Sequence, residues 1–182
     1  MRLFVALSLP EDVRQSLARI SYGLPGVRWV APENLHVSLR FIGEVDGGTM
    51  QDVDAALAGI RAPGFALELG GVGHFGNGGK VRVVWVGVKP EPALQHLHDK
   101  VESAVVRAGI EPERQRYKPH VTLARPSQPP HPAKLREFLA LHSLYRSRPF
   151  AITHFTLYSS FLGGEGPIYR AEQSYALTAA AA

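Results

Sequence analysis

Two short stretches of this chain carry groups that can move protons and hold anions. They are His36-Val37-Ser38-Leu39 and His120-Val121-Thr122-Leu123, both of the form histidine, any residue, hydroxyl residue, leucine. On composition alone about 0.08 such matches are expected. An imidazole gives or takes a proton near neutral pH, and a hydroxyl donates to an anionic oxygen. If each stretch is a strand, alternation sends Leu35, Val37, Leu39 and Phe41 to one face and His36, Ser38 and Arg40 to the other. In the second stretch it sends Val121 and Leu123 inward and leaves His120 and Thr122 on the open face. A third match, His154-Phe155-Thr156-Leu157, lies on a different strand and is expected to line a groove or its rim.

The elements that must hold these residues read as a repeat. Helical periodicity predicts helices at Glu11–Ile20, Thr49–Ile60, Pro92–Ala108 and Pro132–Leu144. Strands are expected at Arg2–Leu9, Leu35–Ile42, Phe65–Leu69, Val81–Val88, His120–Ala124, Ala151–Ser159 and Tyr169–Leu177. Strand, helix, strand, helix, strand occurs twice, and the two histidines fall on the middle strand of each pass. The expected organisation is a single domain, 1–182, built from repeat halves of about 1–70 and 81–160 with a C-terminal strand at 169–177. Alternating hydrophobicity favours an α+β fold. It would have two pseudo-symmetric lobes, each an antiparallel sheet with helices on its outer face, enclosing a central groove. Such lobes would aim both imidazoles and both hydroxyls into that groove.

The Gly-rich stretch Gly70–Lys80 contains G-x-G-x-x-G at Gly71, Gly73 and Gly76, yet it leads into a strand. The dinucleotide reading therefore fails, and an inter-lobe loop is expected. With no cysteine among 182 residues, disulfide scaffolds, thiol nucleophiles and thiolate zinc sites are excluded. The apolar start is stopped by Pro10, Glu11 and Asp12, and no apolar run is long enough to span a bilayer. A cytoplasmic protein with no membrane association is expected. A net charge of +4 suits an anionic ligand. The motif strands supply no carboxylate to complete a zinc set, and His96 and His98 point apart on a helix, so no metal is expected. Arg40, on the face of His36, and Arg125, directly after the second motif, are candidate phosphate ligands. Tyr117 and Phe75 are candidate base-stacking platforms, whereas alternation sends Phe41 to the core. An RNA-binding module without catalysis would use the same groove but needs only basic and aromatic residues.

Paired His-x-Ser/Thr-Leu motifs in a duplicated αβ chain resemble the 2H phosphoesterases. Within them the chain is most similar to the RNA 2',3'-cyclic phosphodiesterases, also known as 2'-5' RNA ligases. The likeness extends to Arg2-Leu3-Phe4-Val5-Ala6-Leu7, Trp29-Val30-Ala31-Pro32-Glu33-Asn34-Leu35-His36, Val83-Val84-Trp85-Val86-Gly87-Val88 and Lys118-Pro119-His120-Val121-Thr122-Leu123-Ala124-Arg125. Near the end it includes Phe155-Thr156-Leu157-Tyr158-Ser159-Ser160 and Gly166-Pro167-Ile168-Tyr169. Ser38 stands where the family more often has threonine; both supply a hydroxyl. The resemblance implies hydrolysis of a terminal 2',3'-cyclic phosphate on RNA to a 2'-phosphomonoester, with 2'-5' ligation as the reverse. It also implies His36 as proton donor, His120 as proton acceptor, Ser38 and Thr122 on the phosphoryl oxygens, and a basic residue at Arg125. No cofactor and no metal are implied, and nothing in the sequence calls for an obligate interface, so a monomer is expected.

Overall fold

Four amphipathic helices cover one face of a long antiparallel sheet. The computed structural model describes residues 1–77 and 79–180. In chain order the elements are β1 (Arg2–Ser8), α1 (Glu11–Ile20), β2 (Val27–Trp29), a 3-10 turn (Pro32–Asn34) and β3 (His36–Glu44). Next come α2 (Gly47–Ala58), β4 (Phe65–Leu67), β5 (Leu69–Asn77), β6 (Lys80–Val88) and α3 (Pro92–Arg107). The chain continues through β7 (His120–Pro126), α4 (Pro132–Leu141), β8 (Phe150–Ile152), β9 (His154–Gly163) and β10 (Gly166–Ala176). The helices start where their chemistry dictates. The Asp46 carboxylate accepts from the Thr49 amide at 2.7 Å to open α2, and Pro92, which has no amide hydrogen to leave unpaired, occupies the first turn of α3. Each helix buries one stripe, as α3 does with Leu94, Leu97, Val101, Ala104 and Val105. These stripes meet Leu3, Val5 and Leu7 of β1, Val37 and Leu39 of β3, Val84 and Val86 of β6, and Val121 and Leu123 of β7 in one continuous core. No described helix is long and apolar enough to cross a membrane.

Strand order in the main sheet is β10-β9-β1-β3-β7-β6-β5, with β2 also pairing β7. The two lobes are β10-β9-β1-β3 and β7-β6-β5 with β2. They join at β3 and β7 through one antiparallel pair, Val37 opposite Val121. This grouping corrects the expected halves: β9, from the second pass, pairs with β1, and β5 pairs with β6. The helices interleave too, since α2 and α3 pack together, α3 lies over β3 and α2 reaches β10. Within the stretch Gly70–Lys80, expected as a loop, residue 78 lies outside the described residues, Lys80 opens β6, and 70–77 are strand and make up most of β5. Its glycines are what a strand needs here: a Cβ on Gly73 would lie 2.4 Å from the Trp85 indole, which rests flat against this position from β6. Sequence periodicity cannot register a strand whose side chains have been deleted to admit a neighbour's ring.

Candidate active site

The pair Val37–Val121 marks the centre of the groove. Both valines are fully buried beneath the sheet, so their neighbours in the strands, His36, Ser38, His120 and Thr122, project to the opposite, open face. Antiparallel register sets His36 toward Thr122 and Ser38 toward His120, an arrangement with two-fold pseudo-symmetry.

Each imidazole is held in the same way. His36 Nδ1 lies 2.6 Å from the carbonyl of Asn34, and His120 Nδ1 lies 2.7 Å from the carbonyl of Lys118. A carbonyl only accepts, so Nδ1 carries the hydrogen in both rings and Nε2 is left for chemistry. His36 Nε2 sits 3.0 Å from the Ser38 hydroxyl. The Asn34 side chain also donates to the Pro167 carbonyl at 2.9 Å, tying the β9–β10 hairpin to the residue that aims His36.

Aromatic side chains enclose both rings. His36 lies 5.1 Å from Phe4 and edge-on to Tyr169 at 5.5 Å, with Tyr158 stacked on Phe4 at 5.2 Å. His120 meets Phe75 edge-on at 5.0 Å. Burial among these groups holds both imidazoles below the ordinary histidine range, because charging them there costs solvation. The accepting carbonyls of Asn34 and Lys118 oppose this shift, whereas the positive charge of Arg125 reinforces it at both sites.

A shared irregularity follows each motif. In the pairing of β3 with β1, Val5 faces Arg40 and Ala6 faces Ser38, so Leu39 is an extra residue. In the pairing of β7 with β6, Val84 faces Ala124 and Trp85 faces Thr122, so Leu123 is extra. The leucine of each motif is therefore a β-bulge, and a bulge reverses the alternation beyond it. Leu39 and Arg40 are consecutively buried, as are Leu123 and Ala124, after which Phe41 and Arg125 are exposed. Two expectations are corrected by this. Arg40 is out of line with His36 and Ser38 and, at the floor of the groove, its guanidinium is committed to protein partners rather than standing free for phosphate. It is 6% exposed, ion-paired with Glu102 of α3, and donates to the carbonyls of Phe41 and Glu111. Phe41 is not a core residue but 51% exposed, with the Arg2 guanidinium 5.2 Å from its ring centre. The same bulge geometry carries Arg125 out of the core, to where its charge acts on both imidazoles.

Tyr117 donates its hydroxyl to the Ser38 carbonyl at 2.7 Å, and its ring stacks on His98 at 3.9 Å. It belongs, with Phe75 and His120, to a polar groove of about 790 Å³ that also carries Arg82, Arg116 and Lys118. His154 opens β9 as an exposed residue, two strands from β3, with Nδ1 3.0 Å from the Thr153 hydroxyl. His96 lines a separate cavity on the helical face beside Asp99 and Lys100. Among the described residues no three His, Cys, Asp or Glu side chains cluster as a metal site. The sequence carried no independent signal for the holding role of Asn34 and Lys118, since a carbonyl is supplied by any residue. Their shared position, two before each histidine, is visible only once the strands are aligned.

Comparison with known proteins agrees with this architecture. The family model described as the 2'-5' RNA ligase superfamily matches residues 9–163. A protein of Archaeoglobus fulgidus named RNA 2',3'-cyclic phosphodiesterase is 34% identical over 176 residues, covering 93% of this chain and 97% of the relative. One of Escherichia coli with the same name is 31% identical over 181 residues, covering 97% of each. The crystal structure of E. coli LigT complexed with 3'-AMP superposes with a TM-score of 0.79 at 30% identity, over 97% of this chain and 98% of that one. Paired histidines on a pseudo-two-fold sheet, a match over most of the length and relatives above 30% identity place the chain in the 2'-5' RNA ligase superfamily.

Proposed function

We propose that this protein hydrolyses the 2',3'-cyclic phosphate at an RNA terminus to a 2'-phosphomonoester by two-histidine acid–base catalysis. The observation that carries the reading is the matched pair of imidazoles, each fixed through Nδ1–H, with both Nε2 atoms serving one groove. Phosphorus sits between them. Neutral His120 takes a proton from water through Nε2 as the water oxygen bonds to phosphorus; the bond to the 3'-oxygen breaks, and protonated His36 supplies that oxygen with a proton through Nε2. The Ser38 and Thr122 hydroxyls donate to the non-bridging oxygens as their charge grows, and Arg125 attracts the phosphate. Binding of the anionic phosphate offsets the field of Arg125 and favours the imidazolium that the acid role requires. Imidazolium, hydroxyls and guanidinium together supply the electrophilic assistance, so the reaction needs no added metal. The substrate class agrees with the names borne by the relatives, RNA 2',3'-cyclic phosphodiesterases.

The test is incubation with an RNA ending in a 2',3'-cyclic phosphate, with excess EDTA present. A 2'-phosphomonoester product, formed at an unchanged rate with the chelator, is expected. A 3'-phosphomonoester would reverse the leaving-group assignment. Loss of turnover with EDTA would overturn the metal-free mechanism, and binding without turnover would leave an RNA-binding module.

A further inference from the structure

The joint between the two lobes is narrow. β3 and β7 share the single pair Val37–Val121, and each imidazole stands one residue before it, so a swivel about that pair changes the distance between the two Nε2 atoms. A misplacement of about 1 Å between reacting groups costs roughly 10²-fold in rate, so this arrangement needs a second tie close to the joint. Tyr117 supplies one. Its hydroxyl donates across the joint to the carbonyl of Ser38, the residue after Val37, at 2.7 Å. Its ring lies flat on His98 of α3 at 3.9 Å, with 6° between the planes. Burial raises the phenol above the ordinary tyrosine range, so it keeps its proton and stays a donor wherever the histidines titrate.

The place of Tyr117 in the chain matters as much as its bond. Residues 110–119 form neither helix nor strand, and within them lies the Lys118 carbonyl that accepts from His120 Nδ1. Arg40 and Glu102 hold this segment as far as Glu113, and from there to His120 the hydrogen bond to a neighbouring strand is Tyr117's. Pro119 confines Lys118 to extended backbone, and Tyr117 is fixed immediately before it. One side chain therefore grips the backbone of the His36 half-site and abuts the carbonyl that aims His120. The two-fold does not repeat it. Three residues before His36 stands Glu33, which is exposed, and the tie in that half runs from Asn34 to Pro167, within its own lobe. A feature of the repeat itself would occur twice, whereas a latch between the halves is needed once. We infer that Tyr117 is a positioning residue whose hydroxyl latches the His120 half-site onto β3 and so sets the spacing of the two imidazoles across phosphorus. Its effect on rate rests on the two-histidine reaction proposed above; its effect on the His120 ring does not.

Tyr117→Phe removes the hydroxyl and keeps the ring on His98, so it separates the latch from any stacking of the ring on a base. With a cyclic-phosphate RNA as substrate, kcat is expected to fall at least about tenfold with KM within about twofold of wild type, the pattern of lost alignment in the transition state. In the free protein the proton–nitrogen NMR signal of His120 Nδ1–H, sheltered in wild type by the Lys118 carbonyl, is expected to broaden or vanish, while that of His36 Nδ1–H persists. An unchanged kcat overturns the latch, and so does a raised KM, because Tyr117 then binds the substrate itself. Retention of both Nδ1–H signals, or equal loss of both, also overturns it, since the effect must fall on one half-site. Absence of hydrolysis in wild type overturns the phosphodiesterase reading instead, and the two Nδ1–H signals then decide the role of Tyr117.

Discussion

At the scale of the residue, the proposed chemistry depends on two rings whose Nδ1–H is committed to a carbonyl. Replacing either His36 or His120 with alanine is expected to lower kcat by about 10²-fold or more, the scale of lost acid–base catalysis. A variant turning over cyclic phosphate within a few-fold of wild type removes that histidine from the mechanism. The pH dependence follows from the direction of the shifts. Burial and Arg125 hold both histidines below the usual value of about 6.5, so the fraction of free enzyme with one ring protonated shrinks as pH rises above it. The profile of kcat/KM is therefore expected to be bell-shaped with its maximum on the acid side of about pH 6.5. Arg125→Ala removes a positive charge from the neighbourhood of both rings and is expected to move the profile to higher pH while raising KM. A maximum above pH 7 in wild type, or an unmoved profile in the variant, counts against this electrostatic picture.

At the scale of the element, the motif leucine is a bulge that decides which residues beyond the histidine reach the groove. Strict alternation read the four motif residues correctly and failed at the next one, Arg40, because an extra residue in a strand leaves no mark in hydrophobic pattern. The misplaced arginine has structural work instead. Arg40 holds Glu102 of α3 and the Glu111 carbonyl, and Glu102 also accepts from the Glu113 amide at 2.9 Å. Through these contacts β3, which carries His36, secures the segment that leads to Lys118 and His120. Arg40→Ala leaves Glu102 without its ion partner and the Glu111 carbonyl without its donor. It is expected to cost about 3 kcal/mol, the low end for a broken buried pair because Glu102 keeps some contact with water. Urea denaturation measures this, and a loss below about 1 kcal/mol would make the pair a surface contact in energetic terms.

For the whole molecule, titration of the site couples to folding. A histidine whose folded pKa lies below its unfolded value contributes stability that is fully present above the unfolded pKa and is lost as pH falls through the folded one. Tm is therefore expected to drop from about pH 7 to pH 5, and the drop to be smaller in the His36→Ala/His120→Ala double variant. Equal slopes in the two proteins would mean that neither ring is desolvated. By itself the sequence determined the helices, most strands, the two histidines with their hydroxyls and the α+β class, because each rests on local periodicity or on residue type. Only the tertiary structure decided that β9 pairs with β1, that a glycine-rich stretch is a strand shaped around Trp85, that Arg40 is buried and that Arg125 is exposed with its charge felt by both histidines. Those outcomes depend on pairing partners distant along the chain, and strand register is fixed by contacts that no single segment contains.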